Sequence, residues 1–186
     1  MINSLNFELM LLDELQELLG TPLSDKIWLF FTHIGDYGLL WILMIVALLA
    51  YPKTRRIGII CSLAFVLGVI ITNGLLKNIV ERARPYNYRD IVLLIKEPDS
   101  YSFPSGHTTA SFAVAFVLLK EKLRLNQINI YIPTLVIAAL VAFSRMYLFV
   151  HFPSDIIAAI VIGYFCSIIS RQLIKKAKWL DKIIKT

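Results

Sequence analysis

The sequence predicts an all-α protein, a polytopic membrane helix bundle with five to six transmembrane helices. Its composition, its apolar runs of spanning length and the grouping of its basic residues all point to this class. Of 186 residues, 58% are hydrophobic and 17% are charged, with a mean hydropathy of +0.70. Soluble domains typically have about 45–50% apolar and about 25% charged residues. The composition excludes a disordered chain and a disulfide-stapled secreted module, and it favours one membrane-embedded domain over residues 1–186.

Five segments are predicted to cross the membrane as helices, because each approaches the roughly 20 largely apolar residues that a crossing needs. They are residues 26–51, 57–76, 103–119, 128–144 and 152–170. The first of these reaches spanning length only by including a more polar stretch that contains His33 and Asp36. The second carries no charge, and the other three carry polar residues near one end.

Residues 1–25 are predicted to contain an amphipathic helix that lies in the membrane interface. Leucines recur at three- and four-residue spacing from Leu5 to Leu19, and four carboxylates interrupt them. Four carboxylates are costly at the bilayer centre, whereas an interfacial helix keeps them hydrated. The alternative is a sixth span whose acidic residues face the bundle.

The basic residues predict the orientation of the bundle. Twelve of the 19 lysines and arginines fall in residues 53–56, 120–124 and 171–185, which five spans place on one side. By the positive-inside rule this side is cytoplasmic. We therefore expect a multi-pass protein of the cell (plasma) membrane, with the loop 77–106 and the turn near His151 facing outside. These cytoplasmic loops account for the net charge of +6, so no nucleic-acid partner is expected.

Basic residues also crowd the predicted outer face, against the usual preference. They are Lys77, Arg82, Arg84, Arg89, Lys96 and Arg145. An anionic ligand would explain them. Headgroup binding or solvated charge is the alternative, because nearby carboxylates almost neutralise the positive charge of the loop.

Three motifs follow one another on this outer face. Residues 77–85 read K-x6-R-P, residues 104–107 read P-S-G-H, and residues 144–155 read S-R-x5-H-x3-D. Together, and in this order, they resemble the signature of the type 2 phosphatidic acid phosphatase (PAP2) superfamily, which is related to bacterial acid phosphatases and vanadium haloperoxidases. The resemblance implies a PAP2/haloperoxidase-like helix bundle, and the first 35 residues lie outside it.

The histidines and their neighbours support a catalytic interpretation without the resemblance. His107 and His151 have the same predicted depth, and both are flanked by basic groups. Asp155 follows His151 by four residues, so a helical turn starting near Pro153 places the carboxylate against the imidazole. Such a carboxylate leaves the other ring nitrogen free as a nucleophile. A plain helix cap is the alternative for Asp155, and His33 is interpreted as interfacial.

The resemblance implies a role for each motif residue. His151 would attack phosphorus to form a phosphohistidine, Asp155 would orient it, and His107 would protonate the leaving group and then activate water. The residues implied to hold the phosphate oxygens are Lys77, Arg84, Ser105, Gly106 and Arg145. Arg82, inside the x6 stretch, either contacts the substrate or is paired or solvated.

No cofactor and no metal are expected, because the nucleophile belongs to the protein and the cations are Lys and Arg. The predicted function is a metal-independent phosphatase of a membrane lipid phosphate or pyrophosphate, acting at the outer face of the bilayer. The compact chain resembles bacterial undecaprenyl pyrophosphate phosphatases. Phosphatidylglycerophosphate and phosphatidate phosphatases share every motif and stay open as alternatives. No feature of the sequence indicates an oligomeric state.

Two hypotheses from other classes also stay open. The first is a non-catalytic lipid-binding or transport protein that keeps the fold, which intact His107, His151 and Asp155 argue against. The second is a vanadate-dependent peroxidase, which is disfavoured because those relatives are soluble.

Overall fold

The computed structural model describes residues 2–125 and 128–177, and the regular structure within them is almost wholly helical. The helices are α1 (Ile2–Leu19), α2 (Pro22–Gly35), α3 (Leu39–Ala50), α4 (Arg55–Val69), α5 (Lys77–Val80), α6 (Gly106–Glu121), α7 (Tyr131–Tyr147) and α8 (Pro153–Lys176). A π-helical segment, Ile70–Leu76, joins α4 to α5. The strands β1 (Arg124–Leu125) and β2 (Ile128–Asn129) form an antiparallel hairpin before α7, with Arg124 opposite Asn129.

Three helical segments are long and apolar enough to cross a membrane, within the described ranges. They are Pro22–Ala50, Arg55–Tyr88 and Pro153–Lys176. The apolar α7 is shorter, and α6 overlaps most of the predicted span 103–119. The all-α membrane class is confirmed, while the number of crossings stays a prediction. The predicted basic tail extends beyond residue 177 and there lies outside the described residues.

Helix α6 is the centre of the bundle and packs against α4, α7 and α8. It is buried on every side, and small residues such as Thr109, Ala110 and Ala113 let the neighbouring backbones approach. Small side chains at such contacts are typical of helix packing in membranes, where close van der Waals contact stabilises association. The helix that begins at Gly106 is therefore held rigidly from three directions.

The approach of α8 to α6 depends on Gly163. A Cβ at this position would lie 2.9 Å from the backbone nitrogen of Ala113 and 3.1 Å from the backbone carbon of Phe112. Backbone atoms cannot move aside as a flexible side chain can, so a larger residue would separate the two helices. Because α8 carries Asp155 in its first turn, this contact also fixes the depth of the carboxylate.

The polypeptide breaks between α2 and α3 instead of running as one straight helix. Tyr37 has φ 53° and Gly38 has φ +69°, both in the left-handed region. Gly38 has a second constraint, because a Cβ there would lie 2.6 Å from the Phe65 ring. The break places Asp36, the residue that ends α2, beside the start of α6.

The first 25 residues contain α1 and the first turn of α2. α1 ends at Leu19, and α2 begins at Pro22, with the Thr21 hydroxyl accepting a hydrogen bond from the Ser24 amide. The apolar face of α1 packs on the turn between α7 and α8, where Leu9 and Leu12 cluster with Phe149 and Phe152. The interfacial position of α1 stays a prediction.

All three motifs meet at one end of the bundle. Lys77 begins α5, Gly106 begins α6, Arg145 lies in the last turn of α7, and Asp155 lies in the first turn of α8. The opposite end carries the turn between α3 and α4 and the β hairpin, and there Arg171 of α8 is paired with Glu121 of α6 at 2.6 Å. The basic loops and the motif residues therefore occupy opposite ends of the bundle, and which end faces outside stays a prediction.

Candidate active site

His151 lies in the turn between α7 and α8 and is almost completely buried. Its Nδ1 is 3.5 Å from Oδ2 of Asp155, longer than an ordinary hydrogen bond but within contact range. Catalytic hydrogen bonds often shorten only when the substrate is bound. Asp155 is held in place by the Phe152 amide, which donates to Oδ2 at 2.9 Å, and by the Ser102 hydroxyl. Asp155 therefore both caps α8 and faces the imidazole, so the two interpretations of this residue, partner of His151 and helix cap, are compatible.

The second ring nitrogen of His151 faces a cation. Its Nε2 lies 3.3 Å from Nη1 of Arg84, whose guanidinium also donates to the carbonyls of Val150 and Ser100. Burial and then the positive charge of Arg84 lower the pKa of His151 well below its ordinary value of 6.5, although Asp155 acts in the opposite direction. The imidazole is therefore neutral at pH 7, which is the state a nucleophile needs.

His107 has a carboxylate partner that the motifs do not contain. Its Nε2 lies 2.9 Å from Oδ1 of Asp36. The helix break after α2 supplies Asp36, and the first turn of α6 supplies His107. We missed Asp36 in the sequence, although a carboxylate inside a predicted span was the available signal.

Three buried cations surround the two histidines. Lys77, Arg84 and Arg145 expose between 3% and 7% of their surface, and none of them forms an ion pair with a described residue. Lys77 donates to the Ser100 hydroxyl at 2.8 Å, and Arg145 donates to the Thr32 hydroxyl. Buried charges without a counter-charge are costly. An anionic ligand is the partner that would balance them.

The two remaining predicted residues have different positions. Gly106 lines the cavity, and a Cβ there would lie 3.0 Å from the Asn73 side chain. Ser105 is fully buried and caps the N-terminus of α6. Its hydroxyl accepts hydrogen bonds from the amide and the hydroxyl of Thr108. A phosphate contact from Ser105 therefore stays a prediction.

The open alternative for Arg82 is decided by its contacts. Its guanidinium donates to Asp155 and to Glu8, each at 2.6 Å. Arg82 is thus paired with acidic residues. His33, interpreted as interfacial, lines the same cavity as His107.

One cavity of about 880 Å³ contains the two imidazoles and the cations. The predicted residues that line it are Lys77, Arg84, Gly106, His107, Arg145 and His151. Phe65, Val69 and Ala110 supply apolar surface, and the loop between α5 and α6 supplies Lys96, Glu97 and Asp99. Within the described residues, no group of three or more His, Cys, Asp and Glu side chains is arranged to hold a metal ion. The cavity can therefore present cations to a phosphate beside apolar surface.

Fold and cavity together define a class: helical membrane phosphatases that act on phosphorylated lipids. The model of the PAP2 superfamily matches residues 57–179, and the chain belongs to this superfamily. An undecaprenyl-diphosphatase of Sulfolobus acidocaldarius is 32% identical over 145 residues, covering 75% of this chain and 67% of the relative. Phosphatidylglycerophosphatase B of Bacillus subtilis is 33% identical over 155 residues, covering 78% and 73%.

A solved structure shares the fold along almost the whole chain. The crystal structure of a transmembrane PAP2-type phosphatidylglycerolphosphate phosphatase from Bacillus subtilis matches with a TM-score of 0.78 at 26% identity. The match covers 96% of this chain and 89% of that one. The family resemblance is confirmed, and the chain is a PAP2-type membrane phosphatase.

Proposed function

We propose that the protein removes the terminal phosphate of undecaprenyl pyrophosphate at the outer face of the cell membrane, through a phosphohistidine intermediate and without a metal ion. The observation that carries this proposal is the set of three buried cations, Lys77, Arg84 and Arg145, without a carboxylate partner among the described residues, beside two imidazoles. An isoprenyl chain fits a site embedded in a bundle, because the chain stays in the bilayer while its headgroup enters the cavity.

In the first step, Nε2 of His151 forms a bond to phosphorus while the bond from phosphorus to the leaving oxygen breaks. His107 gives a proton to that oxygen, so the lipid leaves as a monophosphate. The His151 ring becomes cationic, and its Nδ1 keeps the proton and donates a hydrogen bond to Asp155. Lys77, Arg84 and Arg145 balance the charge on the transferred group, which is the main catalytic requirement in phosphoryl transfer.

In the second step, His107 takes a proton from water, and the resulting hydroxide attacks phosphorus. The bond between phosphorus and Nε2 breaks, inorganic phosphate leaves, and His151 is neutral again. His107 thus serves first as acid and then as base, because the nitrogen that has lost its proton in the first step can accept one in the second.

Trapping the intermediate tests the proposal. Purified protein is incubated with undecaprenyl pyrophosphate labelled in its terminal phosphate. Wild-type protein quenched during turnover is expected to carry the label in an acid-labile and alkali-stable form, as a phosphohistidine does, and His107→Ala is expected to slow both steps, because it removes the acid of the first and the base of the second. His151→Ala is expected to give neither labelled protein nor free phosphate. Phosphate release by His151→Ala at the wild-type rate would exclude the proposal, and lipid binding without turnover by wild-type protein would support the lipid-binding alternative.

Phosphatidylglycerophosphate is the second candidate substrate, because the matched Bacillus subtilis phosphatase structure covers 96% of this chain. Comparing kcat/KM for undecaprenyl pyrophosphate, phosphatidylglycerophosphate and phosphatidate separates the candidates. The proposal expects the highest value for the pyrophosphate. A higher value for either of the other lipids would reassign the substrate and leave the mechanism unchanged.

A further inference from the structure

The two oxygens of Asp155 have different partners. Oδ2 faces His151 and accepts hydrogen bonds from the Phe152 amide and the Ser102 hydroxyl. Oδ1 accepts a hydrogen bond from Nη1 of Arg82 at 2.6 Å. Because Asp155 is completely buried, rotation of the carboxylate would break charge-assisted hydrogen bonds that water cannot replace. Arg82 therefore holds the carboxylate in the orientation that presents Oδ2 to His151.

Arg82 is itself held by the N-terminal helix. Its Nη2 donates to Oε2 of Glu8 at 2.6 Å, while Oε1 of the same carboxylate accepts from the Ser154 amide at 2.8 Å. Glu8 thus binds both the guanidinium and the first turn of α8. The Arg82 guanidinium also lies over the Phe152 ring, with Cζ 3.9 Å from its centre.

The apolar face of α1 strengthens this connection. Leu9, the residue after Glu8, and Leu12 are almost fully buried against Phe149 and Phe152. The position of α1 on the turn between α7 and α8 therefore decides where the Glu8 carboxylate lies. No motif of the family resemblance contains Glu8.

We propose that Glu8 and Arg82 are positioning residues that couple the seating of α1 to the nucleophile, through Asp155. This inference rests on the proposed function of His151. When His151 bonds to phosphorus its ring becomes cationic, and a carboxylate already fixed at Nδ1 stabilises that charge without reorganising. Displacement of α1 would free Arg82, let the carboxylate turn and lower the rate of the first step.

A second ion pair offers matched controls. Arg89 in the same outer loop is paired with Asp13 on the same helix, with Nη2 and Oδ2 2.9 Å apart. This pair is more exposed than Arg82 and Glu8, and neither of its residues lines the cavity described above. Arg82→Gln and Glu8→Gln are therefore compared with Arg89→Gln and Asp13→Asn, in full-length protein on the lipid that wild type turns over fastest.

Arg82→Gln is expected to lower kcat by about 10- to 100-fold and to change KM by no more than about twofold, because the lost charge-assisted hydrogen bond lies away from the substrate. Glu8→Gln is expected to cause a smaller loss of kcat, and the control pair none. The double variant is expected to fall no lower than Arg82→Gln, because Glu8 acts through Arg82. Equal kcat losses in the control pair, or additive losses in the double variant, would overturn the proposal.

Hydrogen exchange provides a test that does not depend on turnover. Orthovanadate is used as the phosphate analogue, and amide exchange is measured along α1. Because coupling between two sites is reciprocal, vanadate is expected to slow exchange in α1 of wild type and not of Arg82→Gln. Unchanged exchange in wild type would overturn the coupling. Failure of the proposed function would instead give no phosphate release from any of the lipids while the vanadate effect on α1 remained.

Discussion

His107 Nε2 lies 2.9 Å from Oδ1 of Asp36, although the two residues are 71 positions apart in the chain. The contact joins the first turn of α6 to the break between α2 and α3. A carboxylate at this nitrogen stabilises the protonated imidazole, and a general acid must carry the proton that it gives. The candidate site therefore contains two His–Asp pairs, one at each predicted catalytic histidine.

Asp36→Asn is expected to lower kcat by about 10- to 100-fold, below the roughly 10²–10⁴-fold that a general acid contributes in full. The loss is expected to be smaller with p-nitrophenyl phosphate, because its leaving group needs little protonation. Steady-state kinetics on both substrates measures the difference. Asp25→Asn is the control, because Asp25 lies on the same helix and accepts a hydrogen bond from the Tyr147 hydroxyl. Equal losses on both substrates would exclude a role in proton donation.

The pH dependence of activity follows from the lowered pKa of His151. Because the pKa of His151 lies well below the ordinary histidine value of 6.5, the nucleophile stays neutral at pH 6.5. Titration of His151 is therefore expected to change kcat/KM little between pH 7.5 and 6.5. The pH profile of kcat/KM of the wild-type protein measures this, and a fall in kcat/KM that begins above pH 6.5 as the pH is lowered would contradict it.

Stability is expected to depend on pH with a definite sign. His151 titrates near 6.5 in the unfolded chain but only at lower pH in the folded protein. Below about pH 6.5 the unfolded state therefore binds more protons, so the free energy of unfolding falls as the pH falls. Thermal unfolding in detergent is expected to show a steeper loss of Tm below pH 6.5 in wild type than in His151→Asn. Parallel pH curves would show that His151 is not buried in the neutral form.

Removal of metal ions is expected to leave turnover unchanged, because Lys77, Arg84 and Arg145 supply the positive charge that the transferred phosphate needs. Phosphate release is measured before and after dialysis against EDTA and again after adding Mg²⁺. Loss of turnover in EDTA with recovery in Mg²⁺ would contradict the expectation.

Substitution of Gly163 is expected to destabilise the bundle. Gly163→Ala places a Cβ against the backbone of α6, and overpacking of this kind typically costs about 1–3 kcal/mol. The Tm in detergent is expected to fall. Gly74→Ala is the control, because a Cβ at Gly74 meets nothing within 4 Å. Equal changes in Tm for the two variants would contradict the tight contact between α6 and α8.

The orientation can be tested with a membrane-impermeant thiol reagent. The native Cys61 and Cys166 are buried, so they give little background. Asp90→Cys in the loop between α5 and α6 is expected to react in intact cells, and Lys53→Cys in the turn between α3 and α4 only after permeabilisation. The reverse pattern would place the cavity on the cytoplasmic side.

Local spacing made much of the site predictable. The four-residue interval between His151 and Asp155, with Pro153 between them, specifies a helix start that brings the two side chains together, and the structure has them in contact range. The confirmed all-α membrane class follows from composition and run length, because hydrocarbon leaves the backbone few alternatives to helix.

Contacts between distant segments were not predictable in the same way. Asp36 lies in no motif, and the partners of Arg82 are 73 and 74 positions away from it. Ser105 does lie in a motif, but the motif did not predict that its hydroxyl caps α6.

The amino-acid sequence alone thus determined the all-α membrane class, the family and the motif residues, because run length, charge and short spacing act within a few turns of chain. Only the tertiary structure decided that Asp36 contacts His107 and that Arg82 connects Glu8 to Asp155. These pairings depend on the angle of the break at Gly38 and on the packing of α1. Both are set by contacts between segments far apart in the chain.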